Sequence, residues 1–179
     1  MKYILLILLL ILISCKNESK PKNASSDSVS LMWDSFIKSH HDAQNEEIPE
    51  SWFFHNNKED ANRLGKLVLA GKKKAASGLY AWYEEANADL PKVGKKHIIT
   101  DFDGKAIAII KINKVDTIPF NRISKEYAEM DMGTTNKALN KWKKAHWDFF
   151  SSTIKESSKK PTENMLVVCE QFERIWPKN

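Results

Sequence analysis

The sequence predicts one α+β domain, with several helices packed on a small mixed or antiparallel sheet. Three observations lead there. Apolar residues recur at spacings of three and four in separate stretches, as in helices that bury one side. Three other runs, rich in Ile and Val, read as strands, and two of them flank Asp103-Gly104, a strong hairpin signal. No segment repeats, and 179 residues suit a single core once a leader is set aside. A hydrophobic content of 42% is enough to fill that core, which excludes a wholly disordered chain.

The leader is residues 1–14. Lys2 precedes an apolar stretch that runs from Tyr3 to Ile13 and ends at Ser14-Cys15. A basic start, a short apolar centre and a small residue before the break form a secretory signal. The centre is too short for a mature membrane span, which needs about 20 apolar residues. Cysteine directly after the small residue resembles the lipobox of bacterial lipoproteins. That resemblance implies that Cys15 becomes the lipidated N-terminus, anchoring the chain to a membrane of the bacterial envelope, outside the cytoplasm. The competing readings are an uncleaved anchor, or a secretory signal with a chance cysteine. Residues 15–30 are polar and read as a flexible tether.

Residues 31–50 form an N-terminal helix and loop. Leu31, Trp33, Phe36 and Ile37 mark the helix, and Pro49 ends the loop. His40-His41 look like a metal pair but lack a third ligand nearby. Trp52, Phe53 and Phe54 read as core. The next helix starts near Asn57, with Glu59 and Asp60 at its positive end. Ala61, Leu64, Leu67, Val68 and Leu69 form its apolar face and Gly71 its C-cap. A short aromatic helix covers Leu79–Tyr83, and Pro91 and Gly94 bracket a turn. Strands follow at His97–Asp101 and Ala106–Val115, the latter buried on both faces over Ala106–Ile110. After a turn at Pro119 come a helix at Ser124–Met130 and a longer one at Asn136–Ile154. Leu139, Trp142, His146, Phe149 and Phe150 share one face of the longer helix. His146 there reads as a buried histidine making one hydrogen bond. The last strand is Met165–Ile175, and Trp176 closes the sheet.

Lys and Arg number 28 against 23 Asp and Glu, a formal charge of +5, or +4 once Lys2 leaves with the signal. Such an excess permits contact with phosphates or anionic head groups, but solvated lysines would look the same. Of the two cysteines, Cys15 is accounted for and Cys169 sits in an apolar run as a small core residue. A disulfide framework and a cysteine-based zinc site are thereby excluded. No metal or cofactor is expected.

Trp52-Phe53-Phe54, Leu67–Lys73 and Leu90–Gly94 resemble the ASCH domain family. So do Ile118-Pro119-Phe120, Trp142 with His146-Trp147 and Phe149-Phe150, and Val167–Phe172. The shared order and spacing cover residues 51–177. The resemblance implies a PUA-like fold, a small curved β-barrel with surrounding helices, and a cleft lined by the segment after the Asn57 helix. It also implies an association with RNA: some members are ribonucleases, and a small group deacetylates acetylcytidine.

The family motif Gly-x-Lys-x-x-Thr is matched by Gly71 and Lys73, but Ala76 stands at the threonine, the presumed nucleophile of the deacetylases. Lys111 stands where members tend to carry Glu, and the loop at Asp131–Asn136 has lost most of the family's carboxylates. These departures disfavour deacetylation. They also predict a basic cleft with Lys72, Lys73, Lys74 and Lys111 near one another, Ser77 supplying a hydroxyl and Tyr80 stacking a base. The expected function is a lipid-anchored module that binds RNA or a nucleotide-like anion. The alternatives are a metal-independent ribonuclease using Lys73, Tyr80 and Ser77, and a decayed site that now serves protein or glycan contacts.

Overall fold

The computed structural model describes residues 24–154 and 161–178. Its elements are α1 (Ala24–Ser39), β1 (Ser51–Trp52), α2 (Lys58–Leu69), β2 (Ala75–Leu79), α3 (Tyr80–Glu85), β3 (Lys96–Thr100), β4 (Ala106–Pro119), α4 (Lys125–Met132), α5 (Ala138–Ile154) and β5 (Leu166–Trp176). The strands form one sheet in the order β1-β3-β4-β5-β2. β1 runs parallel to β3, and every other pairing is antiparallel.

Two of these strands are unexpected. β1 has only two residues. β2 reads Ala-Ala-Ser-Gly-Leu, a composition with little strand propensity, yet all five residues pair with Val167–Gln171 of β5. β5 imposes the ladder. The expected helix at Leu79–Tyr83 is therefore displaced by one residue and becomes α3.

β4 continues past Val115 to Pro119 and pairs with β3 over its first half and with β5 almost throughout. Register shifts interrupt the pairings at Ile99/Thr100, Ile109/Ile110 and Ile112/Lys114. Such irregularities bend a strand and sharpen its twist. The sheet curls until its two edges, Trp52 of β1 and Ser77 of β2, line one cavity. This is the curved, barrel-like sheet that the resemblance implies.

The helices have physical stops. Asn57 caps α2 by accepting from the Asp60 N–H at 2.9 Å. At the other end Gly71 takes φ +66°, the Gly71 N–H donates to Val68 O and the Lys72 N–H to Leu67 O, both at 2.9 Å. That is a Schellman ending, and it turns the chain sharply into β2. Gly65 lets α2 lie on β4: an added Cβ would come within 2.6 Å of Ile107 Cδ1. Ser124 caps α4, and Gly133 ends it at φ +64°. Tyr127 and Ala128 of α4 bury themselves with Trp142 and Phe150 of α5 over Leu79, Val167 and Cys169. Phe54, Val68, Ile110 and Phe172 form a second cluster.

α1 begins at Ala24, so residues 24–30, expected in the tether, are helical. Tertiary contacts override the polar composition: the Ala106 N–H donates to Ser28 Oγ, and Val29 packs on the domain beside Trp33 and Phe36. Those two rings cover Ile98 and Ile109, with Trp176 edge-on to Phe36. His40 stacks on Phe36 and hydrogen-bonds its carbonyl, as a packing residue. The signal, Cys15 and the rest of the expected tether to residue 23 lie outside the described residues. No described helix is long and apolar enough to cross a membrane.

Candidate functional site

The cavity between the two sheet edges holds about 500 Å³. Its walls are aromatic: Trp52, Phe53 and Phe54 from β1 and the loop behind it, Trp82 and Tyr83 from α3, and Phe149 from α5. Polar groups converge at its base, namely Lys73, Ser77, Asp131, His146 and Glu170, with Asp60 and Arg63 also in the lining.

Asp131 organises the base. Its carboxylate is ion-paired with Lys73, and both side chains are almost fully buried. Lys73 Nζ also donates to the Asp131 carbonyl at 2.8 Å and lies 4.8 Å from the centre of the Phe54 ring. The second carboxylate oxygen accepts from Ser77 Oγ at 2.6 Å and Trp142 Nε1 at 2.7 Å, and His146 Nε2 is 3.3 Å away. Burial alone would raise the Asp131 carboxyl. The Lys73 charge and the His146 contact outweigh it and hold the group well below the usual carboxylate range. Beneath, Tyr127 Oη donates to Ala76 O at 2.5 Å and lies 3.0 Å from Ser77 Oγ. Burial pushes that phenol well above its ordinary value, so it stays a donor.

Glu170 behaves oppositely. It lies directly across the β2–β5 ladder from Ala76, so the two share a face of the sheet. Burial, and then the Asp131 charge, push its carboxyl up to about 7. Its side chain has no hydrogen bond or ion pair with the described residues. Tyr83, whose hydroxyl burial and the Glu170 charge push up to about 12, lines the same space. The cavity thus presents a carboxyl that changes charge near neutral pH and a phenol that keeps its proton.

The expected basic cleft is not formed here. Lys73 is paired with Asp131, and Arg63 is bonded to Asp60 at 2.7 Å, so no unpaired Lys or Arg lines the cavity among the described residues. Lys72 and Lys74 flank Lys73 but are exposed, in a separate shallow groove with Gly71, Glu126 and Glu129. Lys111 is exposed on β4 between buried Ile110 and Ile112, so strand alternation points it outward. Across the sheet it faces Lys96 and Glu173.

Other expectations divide. Ser77 lies on a strand and within the Asp131 network. Tyr80 is half-buried and outside the cavity lining, to which α3 contributes Trp82 and Tyr83 instead. Ala76 does line the cavity. Phe54 is core, whereas Phe53 is 37% exposed. His146 is nearly buried, with Nδ1 3.0 Å from the Trp142 carbonyl oxygen, and its second nitrogen reaches Asp131. Asp131 and Glu170, neither of them among the expected site residues, are carboxylates of the cavity lining. The signal for Glu170 is a carboxylate directly after the apolar run Val167-Val168-Cys169, ahead of Phe172. Asp131 stands one helical turn after Tyr127, on the buried side of α4.

A family model described as ASCH domain matches residues 50–176. The ASCH domain from Lactobacillus crispatus JV V101 superposes with a TM-score of 0.76 at 29% identity, covering 83% of this chain and 94% of that one. A protein from Enterococcus faecalis V583 superposes with a TM-score of 0.75 at 31% identity, covering 84% and 89%. No curated protein matches closely enough to lend the chain an activity.

Proposed function

We propose that this chain, which belongs to the ASCH domain family, is a binding module that receives an unstacked base of single-stranded RNA, or of a free nucleotide. The base enters the aromatic-walled cavity and its phosphate stays outside. One observation carries the reading: flat apolar walls enclose Glu170, a carboxyl with no hydrogen bond to the described residues, poised about 7. Protonated, it both donates and accepts; ionised, it accepts only, so it can pair with the hydrogen-bonding edge of a heterocycle. Base recognition in single strands relies on this combination of stacking and edge hydrogen bonds. A phosphate at the base of the cavity would meet Lys73 already buried against Asp131.

Glu170 also favours a second reading, a metal-independent ribonuclease, because a carboxyl titrating near neutrality suits a general base. Lys73 and Ser77 are poor candidates for that task, since Asp131 engages both. Acetylcytidine hydrolysis lacks the hydroxyl at Ala76. The segment Lys2–Cys15 supports the other part of the proposal, attachment through a lipid on Cys15 to a bacterial envelope membrane.

The test is titration of the full chain, held in mild detergent, with single-stranded RNA at two salt concentrations, followed through tryptophan fluorescence. Trp52 and Trp82 line the cavity and report its occupancy. Saturable quenching with a shallow salt dependence, weakened in Glu170→Ala, is the expected result. Shortened RNA would move the assignment to ribonuclease, and no quenching would refute it.

A further inference from the structure

Outside the cavity the structure exposes a second pair of aromatic rings that continues its wall. Phe53 and Phe102 are each 37% exposed, with centroids 5.2 Å apart and planes tilted by 52°. Phe53 also lines the cavity, so the pair begins at the cavity and extends beyond it. Phe102 stands in the turn between β3 and β4, and its N–H donates to Asn62 Oδ1 on α2 at 3.0 Å. The bond ties the backbone of this turn to α2, and the ring itself rests against Phe53 and not against a core cluster.

Two cations border this ledge. Lys58 reaches Asp103, the residue after Phe102, at 2.7 Å, and Arg63 of α2 lines the cavity. Both side chains are more than half exposed and bonded to carboxylates at the surface. Surface pairs of this kind contribute little, so either cation can change partner to a phosphate at small cost. Exposed aromatic rings flanked by exposed cations, next to a base-sized cavity, match the chemistry of a nucleic acid strand.

We infer that Phe53 and Phe102 form a stacking subsite for the nucleotide adjoining the one in the cavity, with Lys58 and Arg63 meeting the linking phosphate. The inference rests on the base-binding reading of the cavity and deepens it. It makes the ligand a strand of at least two nucleotides instead of a free nucleotide.

The experiment compares the four ribonucleoside monophosphates with mixed-sequence ribodinucleotides, using the full chain in mild detergent and following tryptophan quenching. For the wild type, dinucleotides should bind roughly ten-fold or more tighter than monophosphates, in keeping with one added stacked base. Phe102→Ala should erase that advantage and leave monophosphate binding unchanged, and Phe102→Tyr should retain it. The unchanged monophosphate affinity doubles as evidence that the variant is folded. Equal binding of dinucleotides and monophosphates, or a dinucleotide advantage that survives Phe102→Ala, would overturn the subsite while leaving the cavity reading intact. Quenching by neither ligand would overturn both. Self-association that Phe102→Ala abolishes would instead assign the ledge to a contact between copies.

Discussion

Replacing Glu170 by Gln should make the protein more stable, and increasingly so as the pH rises. The native carboxyl titrates at about 7 against an ordinary 4.5, because burial and the Asp131 charge disfavour its ionised form. A group raised in the folded state contributes stability below its unfolded value and loses it as the pH climbs through the folded one. Each pKa unit corresponds to about 1.4 kcal/mol, so the native state of the wild type forfeits about 3 kcal/mol by pH 8 and about 1 kcal/mol near pH 5. Glutamine keeps the size of the side chain and never ionises. Glu170 is only partly buried, so these figures are upper bounds. Urea unfolding of both proteins at pH 5 and pH 8 is the assay, with all other titrations common to the pair. The gap in unfolding free energy should widen by about 2 kcal/mol between the two conditions. A gap constant with pH would show that Glu170 ionises like a free carboxylate, and the account of a desolvated cavity would fail.

Asp131→Ala leaves the Lys73 ammonium buried without its partner and should cost about 3–5 kcal/mol in chemical unfolding. Because the Asp131 carboxyl is depressed, the stability it contributes is complete at neutral pH; acid titrations should show it being lost as the pH falls below the ordinary carboxylate range, and Asp131→Asn should lose that dependence. Gly133→Ala forces a side chain into a left-handed conformation, with its Cβ 3.3 Å from the backbone of Lys72 and Lys73. It should cost about 1–2 kcal/mol by thermal unfolding. Trp33→Ala should remove about 3 kcal/mol or more, since the ring is 2% exposed and covers the sheet; a stability unchanged in urea would return α1 to the tether. Lys111→Ala should leave RNA affinity unchanged in the quenching titration, because the side chain points away from the cavity.

The parts of the fold legible in the sequence are those whose information is local. α2, α4 and α5 carry helical spacing and end signals at Asn57, Gly71 and Ser124, and β3 and β4 flank a glycine turn. β2 was not legible, since Ala75–Leu79 becomes a strand only through its ladder to β5. The start of α1 was hidden for the same reason. At the site, Lys73 and Ser77 were found, but their meaning changed. A lysine in a run of three reads as solvated charge until Asp131, 58 residues later, is seen to bury it. Strand alternation accounts for Lys111, which the buried Ile110 and Ile112 direct outward on β4; Lys72 and Lys74, ahead of β2, are exposed on either side of buried Lys73.

The start of α1 at Ala24 also sets a distance. Between Cys15 and that helix lie eight residues, and a chain spans at most about 3.5 Å per residue, giving a leash no longer than about 30 Å. A domain of this size has a radius of gyration of about 15 Å. Lipid on Cys15 would therefore keep the domain within about its own diameter of the bilayer. A protein so anchored would patrol the membrane surface: its ligands would have to come to the lipid boundary, and two anchored copies would meet by lateral diffusion in two dimensions.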